Sequence, residues 1–262
     1  MTRYLASPGA ATRTAGWLVI CYLLVPVALV VPISLTDQPY LSFPSGEVSL
    51  RHYVKLFQSQ EWLSSFLQSA GIALTTAIVC TVLGTLCAIG CWRIGGALRT
   101  AVLMMMLLPL VTPQIVFLLG FYRLLVDLRA AGGAAGVIVA HVVTGIPFVI
   151  VIVSAGLSDL DLRLYQAARG LGATSLQAVL RVILPNVRWA VLFGFVFAFM
   201  HSWDDIVMVL FIAGRDLVTI PRRIWDGIHD DPDPVLAAIS SLIILVTLLL
   251  LLVYGRFQER RG

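Results

Sequence analysis

In 262 residues there is a single lysine, Lys55, and no G-x-x-x-x-G-K-[ST] surrounds it. A P-loop ATPase needs that lysine on the β- and γ-phosphates, so this chain does not hydrolyse ATP by that route. HExxH, Cys-x-x-Cys and G-x-S-x-G are absent too, which removes the signals for metalloprotease, thiol-redox and serine-hydrolase chemistry. The reading is therefore not an enzyme: no catalytic residue, no metal site and no cofactor is expected. Charged residues are also scarce, at 12 % against 59 % hydrophobic. A soluble core of this size does not need so much apolar surface, and the balance places the chain in the membrane class. All four cysteines, Cys21, Cys80, Cys87 and Cys91, lie in apolar runs. They read as small packing residues, with no disulfide framework.

What is present is a series of apolar runs, each close to the ~20 residues that cross the hydrocarbon of a bilayer. They are Trp17–Leu35, Phe66–Cys91, Val102–Val126, Val137–Leu157, Trp189–Ile212 and Val235–Tyr254. A polar N-terminus before an apolar run also describes a signal peptide, but this run is longer and no small-residue cleavage site follows, so it is read as a retained span. Pro109 and Pro113 interrupt the third run, and Pro147 lies in the fourth. Freed backbone groups at such positions are tolerated where protein or a watery cavity satisfies them again. Between the first two runs, residues 50–57 are amphipathic. The expected architecture is an all-α membrane protein with six spans over residues 17–254. Cytoplasmic tails at 1–16 and 255–262 would flank it.

Orientation follows from the arginines. With both ends cytoplasmic, the inner segments carry Arg3, Arg13, Arg93, Arg99, Arg163, Arg169, Arg181, Arg188, Arg256, Arg260 and Arg261. That is eleven of the 18 basic residues, against Asp159, Asp161 and Glu259. The excess of positive charge inside is the expected bias, and it puts the loop 158–188 in the cytoplasm.

That loop has its own design. Leu164, Ala167, Ala168 and Leu171 recur at helical spacing, and Gly172 ends the helix as a residue free to enter the left-handed conformation. Thr174 with Gln177 has the form of a capping box for a second helix. The second stripe is Leu176, Val179, Leu180 and Ile183, and Pro185 is expected to stop it. Arg163, Gln166 and Arg169 fall off the first stripe, and two short, rigidly jointed amphipathic helices with five arginine or glutamine side chains to offer read as a docking surface.

Asp204 and Asp205 lie within the fifth run, beside His201 and Trp203. Carboxylates inside a membrane usually face a cavity or a partner. Two readings stand open: a polar station on a path for cations, with Trp203 offering an aromatic face, or an ion-paired or hydrogen-bonded structural contact at the subunit interface. The aspartate off the path would cap, pair with an arginine such as Arg222 or Arg223, or stay protonated. On a continuous helix, adjacent residues point ~100° apart, so only one aspartate could face a central path.

Two sets of residues carry a family resemblance. Gln166-Ala167-Ala168, then Gly172, then Leu184-Pro185 resemble the Glu-Ala-Ala loop of bacterial ABC importer permeases. In that family this loop is the coupling helix seated in a groove of the ATPase; here Gln166 replaces the usual glutamate and removes its charge. The run His201-Ser202-Trp203-Asp204-Asp205, with Phe211-Ile212-Ala213-Gly214, Thr219-Ile220-Pro221 and Ile224-Trp225-Asp226-Gly227-Ile228, is similar to the second permease subunit of spermidine/putrescine-type importers. The resemblance implies a type I ABC importer permease fold in the bacterial inner membrane. It also implies a homologous permease partner, two cytoplasmic ATPase subunits and an extracytoplasmic substrate-binding protein, with membrane lipid around it and no nucleic acid. Gln166, Ala167, Ala168, Gly172, Leu184 and Pro185 would meet the ATPase, while Trp203, Asp204 and Asp205 would line the path of a polyamine or related cation. The alternative is a proton-coupled secondary transporter using Asp204 or Asp205. It would need an inverted repeat or a second intramembrane titratable site, and the reading finds neither.

Overall fold

The structure, a computed structural model, describes residues 10–129, 132–214, 217–230 and 232–259. Within them every regular element is helical. Arg3, Arg215, Asp216, Asp231, Arg260 and Arg261, and with them most of the expected N-terminal tail and the end of the C-terminal one, lie outside the described residues.

The first expected span is α1 (Ala10–Ser34), and the amphipathic piece is α2 (Arg51–Gln58). The second is longer than its apolar run, forming α3 (Gln60–Ile94). The third is not one helix. α4 (Gly96–Val111) and α5 (Gln114–Asp127) meet at 101°. Pro113 makes the corner: it cannot donate to the ladder, and it forces Thr112 out of the helical region to ψ 129°. Pro109, expected to share in the break, stays inside α4. The fourth span is α6 (Gly133–Ser158). The loop after it folds into α7 (Leu162–Gly170) and α8 (Ser175–Ala178), then a π-helical turn (Val179–Ile183) and α9 (Leu184–Asn186).

The expected fifth span, Trp189–Ile212, is also broken. α10 (Arg188–Asp204) ends at the aspartates, Asp205 is extended, and α11 (Val207–Ile212) begins anew. The cause is local: Asp205 Oδ1 accepts the Met208 N–H at 2.8 Å, so the side chain replaces a ladder carbonyl as a helix cap does. The loop before the last span contains a helix the sequence reading did not predict, α12 (Ile220–Asp230), with Pro221 in its first turn where no donor is missed. α13 (Val235–Glu259) closes the chain. Among the described residues α1, α3 and α6 are long and apolar enough to cross a bilayer; each bent pair, α4–α5 and α8/α9–α10, adds one if it acts as a single span.

The chain divides into two compact units. One comprises residues up to 63 and from 224 onward, where α13 packs along α1 and α2. The other, residues 64–223, holds the core. There α6 and α10 pack along each other, and α3 joins them through small residues. A Cβ on Gly84 would stand 2.7 Å from Val149 Cβ, and one on Gly156 would stand 2.6 Å from Ala190 Cβ. In a membrane such close approach supplies the packing that drives helix association. Cys80 is fully buried and fills the space facing Gly145, as expected of a packing residue; Cys21 instead is exposed.

Candidate functional site

The first expected site, in the loop 158–188, is held in shape by short-range bonds. Asp161 caps α7 by accepting the Arg163 N–H at 2.8 Å, a signal the sequence reading passed over. At the other end the Gly172 N–H reaches Arg169 O and the Ala173 N–H reaches Ala168 O, both at 3.1 Å. This is the Schellman pattern, and Gly172 takes φ +91°, as the pattern requires. Arg169 then donates to Ala173 O at 2.8 Å. The capping box is present in both directions: the Gln177 N–H donates to Thr174 Oγ1 at 3.2 Å, and the Thr174 N–H to Gln177 Oε1 at 2.9 Å.

The stripe on α7 looks outward. Leu164 and Ala167 are exposed, Ala168 is half-buried, and Leu171 is 90 % exposed. The helix is fixed by buried Tyr165, ~100° around the helix from Leu164, over whose ring the Arg93 guanidinium lies at 4.5 Å. On the second helix Leu176 and Leu180 are exposed while Ile183 is buried. Pro185 does not stop that helix. The preceding π turn shifts the ladder by one residue, Leu184 N–H bonding Val179 O, and the chain breaks only at Val187, where it turns by 79° into α10. Leu184 is half-buried and Pro185 exposed. Gln166 is exposed and lines an open hollow of about 470 Å³ with Gly90, Arg93, Ile94, Leu162 and Tyr165. Under this outer face, Tyr165, Ala178, Ile183 and Val187 belong to one buried cluster with Cys80, Val149, Val153, Leu157 and Ala198. The loop is thus continuous with the packed core of its unit, to which α3, α6 and α10 contribute.

The second expected site is at the α10–α11 break, and the two aspartates there differ. Asp204 ends α10, is exposed, and forms no ion pair among the described residues. The Asp205 side chain is only 7 % exposed. Beyond its bond from Met208 it accepts from Gln114 Nε2 at 2.6 Å and lies 3.6 Å from His141 Nε2. The extended backbone at Asp205 also removes the premise of ~100° separation on one helix. The arginines expected as partners are engaged elsewhere: Arg222 Nη1 donates to Leu217 O at 2.9 Å and Arg223 Nε to Ser65 Oγ at 2.7 Å. Trp203 stacks on Phe199 at 5.6 Å and meets Phe66 edge-on at 5.7 Å.

Sequence reasoning missed His141, Thr144, Ser202 and Gln114. His141 is fully buried, with Nδ1 2.7 Å from Ser202 Oγ, and Thr144 Oγ1 lies 2.8 Å from His201 Nε2. The signal was there for His141, an ionisable residue in the middle of the fourth apolar run. It supplies the second intramembrane titratable group that the sequence reading said was lacking.

A model of the family described as "Binding-protein-dependent transport system inner membrane component" matches residues 80–261. The spermidine/putrescine transport system permease protein PotC of Haemophilus influenzae is 28 % identical over 234 residues, 89 % of this chain and 91 % of that protein. The putrescine transport system permease protein PotI of Escherichia coli K12 is 29 % identical over 232 residues, 85 % of this chain and 82 % of that one. Among solved structures, a bacterial ABC transporter involved in the import of the acidic polysaccharide alginate superposes with a TM-score of 0.72. It covers 97 % of this chain and 99 % of its own at 14 % identity, a likeness of fold alone.

Proposed function

The chain belongs to the family of binding-protein-dependent transport system inner membrane components, and on that premise we propose that it moves a small organic cation of the polyamine class into the cell as one permease subunit of an ATP-driven importer. It is a multi-pass inner-membrane protein with the all-α type I importer permease fold. ATP hydrolysis is assigned to two separate cytoplasmic ATPase subunits, because no P-loop is present in this sequence. A homologous permease completes the pathway, and an extracytoplasmic binding protein delivers the substrate. The positive-inside balance supports cytoplasmic termini and a cytoplasmic coupling loop.

One observation carries this reading: Leu164, Leu171, Leu176 and Leu180 are turned outward while Tyr165, Ala178 and Ile183 of the same segment are built into the buried cluster of their unit. Exposed Leu164, Leu171, Leu176 and Leu180 form the face for the ATPase. Gln166, Ala167 and Ala168 lie on the same helix, Gly172 sets the angle between helices, and Leu184 with Pro185 leads into α10. When ATP closes the ATPase dimer, the rigid joint carries the movement into α3, α6 and α10, and the pathway changes from inward- to outward-facing.

For the substrate path the geometry separates the aspartates. Asp204, exposed and without an ion pair among the described residues, is assigned to the cation, with Trp203 beside it. Asp205, engaged by Gln114, His141 and the Met208 N–H, is assigned to hold the break. His141 meets one requirement of the proton-coupled alternative, but membership of a binding-protein-dependent family weighs against that mechanism.

The test is uptake of radiolabelled spermidine by vesicles containing the assembled complex with its binding protein. ATP-dependent uptake is expected. Uptake driven by a proton gradient without ATP would replace the reading with the secondary transporter, and ATP-dependent transport of other solutes but not of polyamines would remove the substrate class while leaving the coupling intact.

A further inference from the structure

α2 has three faces where a helix packed on a soluble core has two. His52 and Leu56 are buried and Tyr53 is half-buried, so one side rests on the protein. Leu50, just before the helix, with Val54 and Phe57 forms a second stripe at i, i+4 and i+7, exposed by 63 %, 51 % and 73 %. Arg51, Lys55 and Gln58 form a third stripe at i, i+4 and i+7, also exposed. At ~100° per residue the apolar and polar stripes are adjacent but separate. The third face is polar, with Arg51 donating to Asp37 O at 2.7 Å and Lys55 pairing with Asp233, and the protein covers the first; neither accounts for the second.

The position of α2 within its own unit decides what covers that face. The Tyr53 hydroxyl is shared by Ser34 Oγ at 2.7 Å and Ser241 Oγ at 2.5 Å. Ser34 is the last residue of α1 and Ser241 lies in the second turn of α13, and both are buried. Lys55 pairs with Asp233, which also caps α13 by accepting the Val235 N–H at 2.9 Å. Burial opposes the charge of Asp233, but the bonds from Lys55 and Val235 outweigh it and hold the carboxyl below its ordinary range. His52 Nε2 meets Gln38 O at 3.1 Å. α2 is thus pinned where one apolar helix ends and another begins. An apolar helix that crosses a bilayer ends where the hydrocarbon ends, so this level is where the boundary is expected. The outer surface of α1 is itself exposed and apolar up to this end, with Val27, Leu29 and Val31 among its exposed residues. The stripe of Leu50, Val54 and Phe57 lies at this same end, where hydrocarbon around α1 would reach it.

We propose that α2 is an interfacial helix lying in the headgroup boundary of the leaflet where α1 ends and α13 begins, with Leu50, Val54 and Phe57 inserted among the lipid chains and Arg51, Lys55 and Gln58 facing water. Burial of apolar area at this depth, with a charged face outside it, is what holds such helices at an interface. The basic side chains can extend toward the aqueous side along their own methylene stems. At eight residues α2 is only ~12 Å long, too short to bind a membrane on its own, so Tyr53 and Lys55 are what keep it at that level.

The test places a nitroxide on Cys variants at Val54, Phe57, Arg51 and Gln58, one at a time. The background is the full chain with its four cysteines replaced, purified with its associated subunits and returned to phosphatidylethanolamine–phosphatidylglycerol vesicles. Collision rates with oxygen, which concentrates in lipid, and with a water-soluble nickel chelate are compared. Positions 54 and 57 should favour oxygen several-fold over the chelate, and positions 51 and 58 should show the reverse. Adding Tyr53→Phe, which removes the shared hydroxyl, should shrink the contrast between the two stripes. Equal access of the chelate to all four positions would overturn the proposal in favour of a water-exposed helix. Protection of 54 and 57 from both reagents would overturn it in favour of a protein partner on that face.

Discussion

The loop 158–188 and the break at residues 204–206 are both places where a long helix is deliberately not continued, and they are built in opposite ways. The loop takes its shape from bonds between residues at most five apart: Asp161 to Arg163, Ala168 to Ala173, Thr174 to Gln177. It presents apolar side chains outward. The break joins one local bond, from the Met208 N–H to Asp205, to partners distant in sequence, Gln114 and His141 on the same carboxylate, and encloses polar groups inside an apolar region. A surface meant to receive another protein needs a fixed local form and an unsatisfied face. A polar group placed in a membrane needs its partners supplied by the rest of the fold.

That contrast can be broken first at Gly172. A β-branched residue forced into the left-handed region costs ~1–3 kcal/mol, and the Schellman joint has no other means of turning. Gly172→Val should abolish transport and transport-stimulated ATP hydrolysis while the chain still inserts in the membrane; normal uptake per complex would mean the joint carries no coupling. Next comes Asp205→Ala, which removes a cap worth ~1 kcal/mol and leaves buried His141 without the carboxylate. Yield of assembled complex should fall, and Asp205→Asn, which keeps an acceptor for the Met208 N–H, should recover part of it. If Asp205→Ala gives full yield, the network around the break is not what holds it.

Asp204→Asn should do the opposite. Complex yield should be unchanged and cation uptake per complex lower, because an amide withdraws the charge that stabilises a cation in a low-dielectric segment. Full uptake by this variant would take Asp204 off the path. The smallest effects are expected at Gln166, exposed beside Arg93. Gln166→Glu should keep activity and Gln166→Arg, adding a second cation to the hollow, should weaken association with the ATPase. Indifference to both in a co-purification assay would place Gln166 outside the contact.

What the sequence made legible follows the same division. The α7–α8 joint could be read residue by residue, because Gly172, Thr174 and Gln177 act on their own neighbours. Its direction could not: the stripe of Leu164 and Leu171 has the spacing of a core-facing helix, and only the burial of Tyr165, off that stripe, shows that it faces away. At the break, the presence of two carboxylates was visible but their roles were not, since Gln114 and His141 are brought to Asp205 by the bend after α4 and the packing of α6. The fifth span was expected as a continuous crossing for the same reason, whereas the interruption of the third was legible from its prolines, and only the share of Pro109 in it was misplaced. The apolar runs were legible in the sequence, and the corner set by Asp205 was not.

The central claim is that the outward face of α7 and α8 receives a separate ATPase subunit. Leu171, the most exposed of its apolar residues, tests it directly. In a background with the four native cysteines replaced, Leu171→Cys in inner-membrane vesicles should react rapidly with a water-soluble maleimide when the chain is expressed without the ATPase. It should be protected, and cross-link to the ATPase, in the assembled complex. Equal labelling with and without the ATPase, and no cross-link, would contradict the account.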